Sequence, residues 1–378
     1  MSSTKQVIAL VAASLLVLLF GLLGLELVFG GWLRGDSWSE VDKLNVVRGR
    51  STEYDVRRIY GPDAAPVRYT RDRYGLRGSC DDPAQVRLVT LGGSTTDQVY
   101  VSDGQTWQDR LQSRMTQAHS GRTWCVSNAG VDGHSSFGHI AALERWLPLV
   151  PGLKPDYVLL YVGVNDAALR TERAPSDLRA DEPAGRLARL KRAVNENSAL
   201  LHLIRRALAA RADAPLFAAH KLIFPTDSDY TSTAPAADIA PLVAASSEAF
   251  RERLRRLLQL IEARGAKPVC VSQPSLIYRR YGDAWRGIPD VFTHQGRKFN
   301  GLDYRLAILS INAVMAQECP AAGGHYIDLE GAGFEPAHFY DCVHMNASGA
   351  ARVGDLLADA FSQQGIGGLR PLATSSRP

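Results

Sequence analysis

Apolar and polar positions follow three regimes along the chain. From Val7 to Leu25 there is no alternation: 19 uncharged positions, almost all Val, Ala, Leu, Ile, Phe or Gly. A helix of that length spans roughly 28 Å, the hydrocarbon thickness of a bilayer. A buried core helix would carry a polar face, and this one has none. Residues 1–30 are therefore expected to be a transmembrane anchor. A cleaved signal peptide is the alternative, but its apolar stretch is shorter and ends in small residues, whereas Glu26-Leu27-Val28-Phe29 follows here. Residues 31–85 are polar, with Gly, Pro and alternating charges, and read as a stalk and an N-terminal flap.

From residue 86 the pattern becomes strand, loop, helix, repeated. Strands are predicted at Arg87–Leu91, Trp124–Ser127, Tyr157–Val162, Pro268–Ser272 and Tyr326–Leu329. Tyr157–Val162 is continuously apolar, as a central strand buried on both faces would be. Helical spacing covers Thr106–Met115, Phe137–Leu149, Pro241–Arg264, Leu302–Gln317 and Ala347–Phe361. The alternation predicts an α/β fold: a three-layer α/β/α sandwich on a five-stranded parallel sheet. Ligands in such sheets sit at the carboxyl ends of the strands. Residues 170–233 interrupt the rhythm. They are rich in Ala and Arg, with only Ser198–Ala210 firmly helical, and read equally as a solvated insertion or as a cap over the substrate. The domain should close at 362, and residues 363–378 read as a disordered tail.

Composition narrows the function. With 46% hydrophobic and 22% charged residues and a net charge of +4, the chain of 378 residues is ordinary for a globular protein. It has no dense basic patch with interleaved aromatics, so nucleic-acid binding is not expected. No Cys-x-x-Cys pair or His-Glu-x-x-His helix is present, so no metal site is expected. Five cysteines leave one over. A Cys80–Cys125 bond is sterically conceivable and Cys270–Cys319 is a candidate second one, with Cys342 the candidate free thiol; the sequence leaves the pairing open. Basic residues flanking the apolar helix nearly balance, so charge does not orient it. The domain is expected to face the periplasm or exterior.

Four short motifs carry the chemistry. Gly92-Gly93-Ser94-Thr95-Thr96 follows the first strand of the domain. Its glycines allow a tight turn that exposes Ser94 at a helix N-terminus. No Gly-Lys-Ser/Thr follows, which excludes a phosphate loop, and Thr96 stands where a Gly-x-Ser-x-Gly elbow needs glycine. Asn128-Ala129-Gly130-Val131-Asp132-Gly133 follows the second strand and offers backbone N–H donors. Gly163-Val164-Asn165-Asp166 follows the third, and Asn165 could give a side-chain N–H to a developing oxyanion. Asp341-Cys342-Val343-His344 precedes the last helix and supplies a base with its orienting carboxylate. Alone, each could be a turn or a cap. Their order at successive strand ends is the specific signal.

In these blocks the sequence resembles the SGNH hydrolases, the GDSL-like esterases and lipases, over residues 86–362. Tyr74-Gly75-Leu76-Arg77-Gly78 adds a weaker likeness to membrane-anchored members. The resemblance implies Ser94 as nucleophile, His344 as base and Asp341 as its orienter. It also implies an oxyanion hole of the Ser94 and Gly133 N–H groups and the Asn165 amide; by position the glycine falls on Gly133 rather than Gly130. No cofactor is implied. The expected activity is hydrolysis of acyl esters, O-acetyl foremost, on an envelope or secreted polysaccharide. An O-acyltransferase using the same triad, a lipase or thioesterase, and a non-catalytic glycan-binding protein remain alternatives. The expected partners are an acylated glycan or small ester and the membrane.

Overall fold

The computed structural model describes residues 2–30, 32, 37–120, 123–179, 194, 198–201, 203–204 and 224–368. Two compact units result, Met1–Glu40 with Ala180–Ala214, and Val41–Arg179 with Pro215–Pro378.

In the first unit a single helix runs Ser2–Phe29. Its segment Gln6–Phe29 is long and apolar enough to cross a membrane or to serve as a signal sequence. Of the helix expected at Ser198–Ala210, residues 199–201 and 203–204 are helical. Residue 202 and residues 205–210 lie outside the described residues, as does most of the expected insertion.

The second unit opens with an antiparallel hairpin inside the segment read as a flap, β1 (Arg50–Tyr54) with β2 (Val67–Arg71). Five parallel strands follow: β3 (Leu88–Gly92), β4 (Val126–Asn128), β5 (Tyr157–Tyr161), β6 (Lys267–Val271) and, after two small hairpins, β11 (His325–Ile327). The hairpins pair β7 (Tyr278–Tyr281) with β8 (Ala284–Gly287) and β9 (Phe292–His294) with β10 (Arg297–Phe299). The sheet order β11-β6-β5-β3-β4 leaves β3 between β4 and β5. That is the doubly-wound order whose ligand crevice opens where the first strand neighbours the third. Every residue of β3 is buried, and so is β5 beyond its first residue, which accounts for their unbroken apolar runs.

Helices Trp107–Ala118 and Ala347–Gln363 pack on each other, as do Ile239–Glu262 and Gly301–Ala321. Their starts follow capping chemistry. Thr106 and Asp109 form a capping box, Asn300 and Asp303 another, and the Asn346 side chain accepts from Gly349 N. The helix expected over Phe137–Leu149 is not uniform. An α-helical turn (Ser136–Ala141) passes into a π-helical one (Ala142–Trp146) and a 3₁₀ turn (Leu147–Leu149). Pro148 has no N–H to give, so a regular α-helical ladder cannot run through it. Buried Trp146 donates from Nε1 to Tyr74 O at 2.7 Å.

The pairing the sequence left open is Cys80–Cys125 and Cys270–Cys319, and Cys342 is free and buried. Residues 363–368, read as the start of the tail, are described: Ile366 is fully buried, Gly367 adopts φ +78°, and Gly367 N donates to Tyr157 Oη at 3.1 Å. Residues 369–378 lie outside the described residues.

Candidate active site

Ser94 leaves β3 through Gly92-Gly93 and begins a one-turn helix, Ser94–Asp97. Glycine at 92 and 93 is a matter of space. A Cβ on Gly92 would lie 2.1 Å from Thr96 Oγ1, and one on Gly93 would lie 2.9 Å from Asn165 Nδ2. The turn is then pinned from the side. Thr95 Oγ1 donates to Gln273 Oε1 at 2.7 Å, and Trp107 Nε1 donates to Thr95 O at 3.2 Å.

Asp341 and His344 sit in a loop closed by the bond from Tyr340 N to His344 O at 3.0 Å. The three-residue spacing has a local cause. Asp341 Oδ1 accepts the backbone N–H of Val343 and of His344, at 2.8 and 2.7 Å. This leaves Oδ2 to meet His344 Nδ1 at 2.7 Å, and His344 Nε2 meets Ser94 Oγ at 2.7 Å. Three groups separated by up to 250 positions are thus in one hydrogen-bonded line. Burial pushes the Asp341 carboxyl upward. The His344 charge, its ring hydrogen bond and the two backbone donors outweigh that, and the carboxyl titrates below its ordinary range. Burial, and then the Asp341 charge, push the Cys342 thiol up to about 12, which keeps it protonated and unreactive.

The loop after β4 separates the two candidate glycines. Gly130 N donates to Asn128 Oδ1 at 2.8 Å, and its carbonyl accepts Arg71 Nη2 at 2.6 Å. A Cβ there would lie 2.4 Å from Asp97 N. Gly130 is where two backbones touch, and its donor is already used. Gly133 adopts φ +75°, the left-handed region that glycine enters without strain. Asn165 Nδ2 donates to the carbonyl of the next residue, His134, at 2.8 Å. An amide nitrogen carries two hydrogens, so this bond ties Asn165 to the Gly133 turn and leaves one N–H over.

The same loop is held by two buried aspartates. Asp166 accepts Ser136 Oγ at 2.5 Å and Ser136 N at 3.1 Å, beside Arg253 Nη2 at 3.3 Å. Asp177 accepts Ser135 N at 2.6 Å and Ser135 Oγ at 2.8 Å. Burial holds Asp166 above the usual carboxylate range despite Arg253. For Asp177 the backbone and hydroxyl donors overcome burial, and its pKa falls.

Sequence reasoning missed the groups around this line. Tyr340 stacks face to face on His344, and Tyr60 and Tyr100 pack edge-on against Tyr340 at 5.8 and 5.9 Å. Arg71, at the end of the N-terminal hairpin, and Arg77, just after it, reach under the Ser94 turn. Arg71 pairs with Asp97, and Arg77 Nη1 donates to Asp97 O at 2.7 Å and Gln98 O at 2.8 Å. The available signals were Tyr340, adjacent in sequence to Asp341, and Arg77, within Tyr74-Gly75-Leu76-Arg77-Gly78.

Comparison with known proteins gives one family. Residues 90–253 match the model of the GDSL-like lipase/acylhydrolase family. No curated protein matches the chain. Among similar solved structures is a catalytic mutant of an acetylxylan esterase from Geobacillus stearothermophilus. It is 13% identical, with 74% of this chain and 93% of that one covered at a TM-score of 0.40. A lipase/acylhydrolase from Enterococcus faecalis is 17% identical over 76% of this chain and 99% of that one, at 0.38. An extracellular lipase from Streptomyces rimosus is 15% identical over 72% and 97%, at 0.39.

Proposed function

Because the chain belongs to the GDSL-like lipase/acylhydrolase family and is a carboxylic ester hydrolase, we propose that it cleaves its ester through a Ser94 acyl-enzyme. The observation that carries this reading is the line Asp341 Oδ2–His344–Ser94 Oγ, with 2.7 Å at both contacts. Ser94 Oγ attacks the ester carbonyl while His344 Nε2 takes its proton. Asp341 holds the imidazole by Nδ1 and stabilises the imidazolium. The tetrahedral oxyanion accepts from the N–H groups of Ser94 and Gly133 and from the spare N–H of Asn165. Collapse expels the alcohol, which leaves with the proton from His344. Water, deprotonated by the same nitrogen, then attacks the acyl-Ser94 and releases the acid.

The substrate we assign is an O-acyl, foremost O-acetyl, ester on an envelope or secreted polysaccharide. Two features favour that setting. The helix Gln6–Phe29 suits a membrane anchor, and the two disulfides suit an oxidising compartment outside the cytoplasm. The test is the full chain in detergent with a short-chain aryl ester, an acetylated glycan and a fluorophosphonate label. Wild-type protein should release acetate and be labelled, and Ser94→Ala should do neither. Undiminished labelling of Ser94→Ala would reject the nucleophile.

A further inference from the structure

The first unit holds a contact that the ester chemistry does not use. Glu26 lies in the last turn of the apolar helix, one turn from its end at Phe29. Its carboxylate accepts four hydrogen bonds. Oε1 takes Ser198 Oγ at 2.8 Å and Leu200 N at 2.9 Å. Oε2 takes Ala199 N at 3.0 Å and Trp32 Nε1 at 2.9 Å. Ser198 Oγ in turn accepts Leu201 N at 3.0 Å. The first three N–H groups of the helical turn after Ser198 are therefore satisfied, two by Glu26 and one by Ser198. These are the donors that a helix start leaves unpaired, and a negative charge there also meets the positive end of the helix dipole.

We propose that this capped turn is a second membrane contact, lying in the bilayer surface and fixed to the end of the apolar helix by Glu26. The proposal rests on the membrane anchorage proposed above. Three observations identify lipid as the occupant. First, Leu200, Leu203 and Ile204 are 42%, 65% and 46% exposed, and their i, i+3, i+4 spacing puts them on one helix face. Second, the cap sits within one turn of the apolar helix's end, so the turn lies at the depth of the headgroups rather than in the hydrocarbon. Trp32, bonded to the same carboxylate, is of the residue type that collects at that depth. Third, from Arg186 to Arg211 the sequence holds seven Lys or Arg against one acidic residue, Glu196. That balance of charge in the sequence suits contact with anionic lipid. A carboxylate near hydrocarbon is costly unless hydrogen-bonded, so the capped turn and Glu26 stabilise each other.

The test places a diazirine-bearing amino acid at Leu16, Leu203 or Leu306, one at a time, in the full chain. The protein is reconstituted in vesicles of phosphatidylcholine and phosphatidylglycerol, irradiated and analysed by mass spectrometry. Leu306, exposed in the other unit, gives the background. Lipid adducts severalfold above that background at both Leu16 and Leu203 are the expected result. Adducts at Leu16 with only background or protein cross-links at Leu203 would overturn the surface contact and leave the anchor standing. Background at both would overturn the anchor and the surface contact together. In a Glu26→Leu background the yield at Leu203 should fall severalfold while Leu16 holds. An unchanged yield would remove Glu26 from the proposal.

Discussion

The ring of Tyr340 lies flat against the imidazole of His344, 5.4 Å between centroids and 6° between planes. Asp341 fixes the imidazole through one nitrogen, which still permits rocking about that bond. The tyrosine face removes that freedom and covers one side of the imidazole. Tyr340 is itself held by Tyr60 and Tyr100, so the N-terminal segment bears on the histidine at one remove. Replacing Tyr340 by Leu should lower kcat about tenfold, the worth of one well-placed aromatic pair, with little change in KM. Tyr340→Phe should keep most of the rate, since the hydroxyl takes no part in the stack. Equal losses in both variants, or a loss confined to KM, would count against a positioning role.

Arg71 makes the next prediction. Its guanidinium is buried and engages Tyr69 Oη, Gly75 O, Asn128 O, Gly130 O and Asp97. Removing one partner of such a pair strands the other charge, at about 3–5 kcal/mol. Arg71→Met should therefore lower unfolding free energy by that order in urea titration. Arg71→Met with Asp97→Asn should recover much of it. If the double variant is no more stable than the single one, the loss lies in the carbonyl contacts of Arg71 and not in the stranded carboxylate.

Asn165 separates transition-state from ground-state binding. One of its N–H groups is spent on His134 O, so truncation to Ala loses both a tether and the proposed oxyanion donor. Asn165→Ala should reduce kcat by about 10²–10³, with fluorophosphonate labelling slowed in parallel and KM nearly unchanged. A change of less than a few-fold in kcat would remove Asn165 from the oxyanion hole.

The sheet was legible because its strands are buried. β3 and β5 read as unbroken apolar runs since helices cover both faces. Ser94, Asn165 and the Asp341–His344 pair were legible because each follows a strand end or opens a loop before a helix. The small hairpins were not. Tyr278-Arg279-Arg280-Tyr281 carries no apolar run that marks a strand, yet it forms β7, with Arg279 over the ring of Tyr281 at 5.5 Å. The polar flap hid β1 and β2 for a related reason: Arg71 is buried only because distant carbonyls and Asp97 receive it. The stack of Tyr340 on His344 depends on how a loop closes, and no periodicity records that.

Two histidines behind the proposed oxyanion loop should set an acid limit on stability. His134 and His139 are buried with ring centroids 6.0 Å apart. Burial first, and for His134 then its neighbour His139, lowers each pKa from 6.5 to about 4. The groups facing them are the Leu44 carbonyl, Asp132 and Asp177 at His134, and Asp177 and the Gly92 backbone at His139. Their attraction only partly offsets the burial. The sign follows from proton counting. Below pH 6.5 the unfolded chain binds protons on both histidines that the folded protein refuses until about pH 4. Their contribution is thus fully present above pH 6.5 and is lost as pH falls through that window, by roughly 3 kcal/mol per histidine at most. His134 also accepts from Asn165 Nδ2 at its carbonyl and meets Leu44 O through Nε2 at 2.8 Å, so its titration bears on the proposed oxyanion side of the site. Urea titrations of wild type at pH 7 and pH 4.5 should show a clear loss of stability at the lower value. His139→Phe should show a smaller drop between the two pH values, whatever its absolute stability. An identical pH dependence in that variant would mean that carboxylates elsewhere set the acid limit.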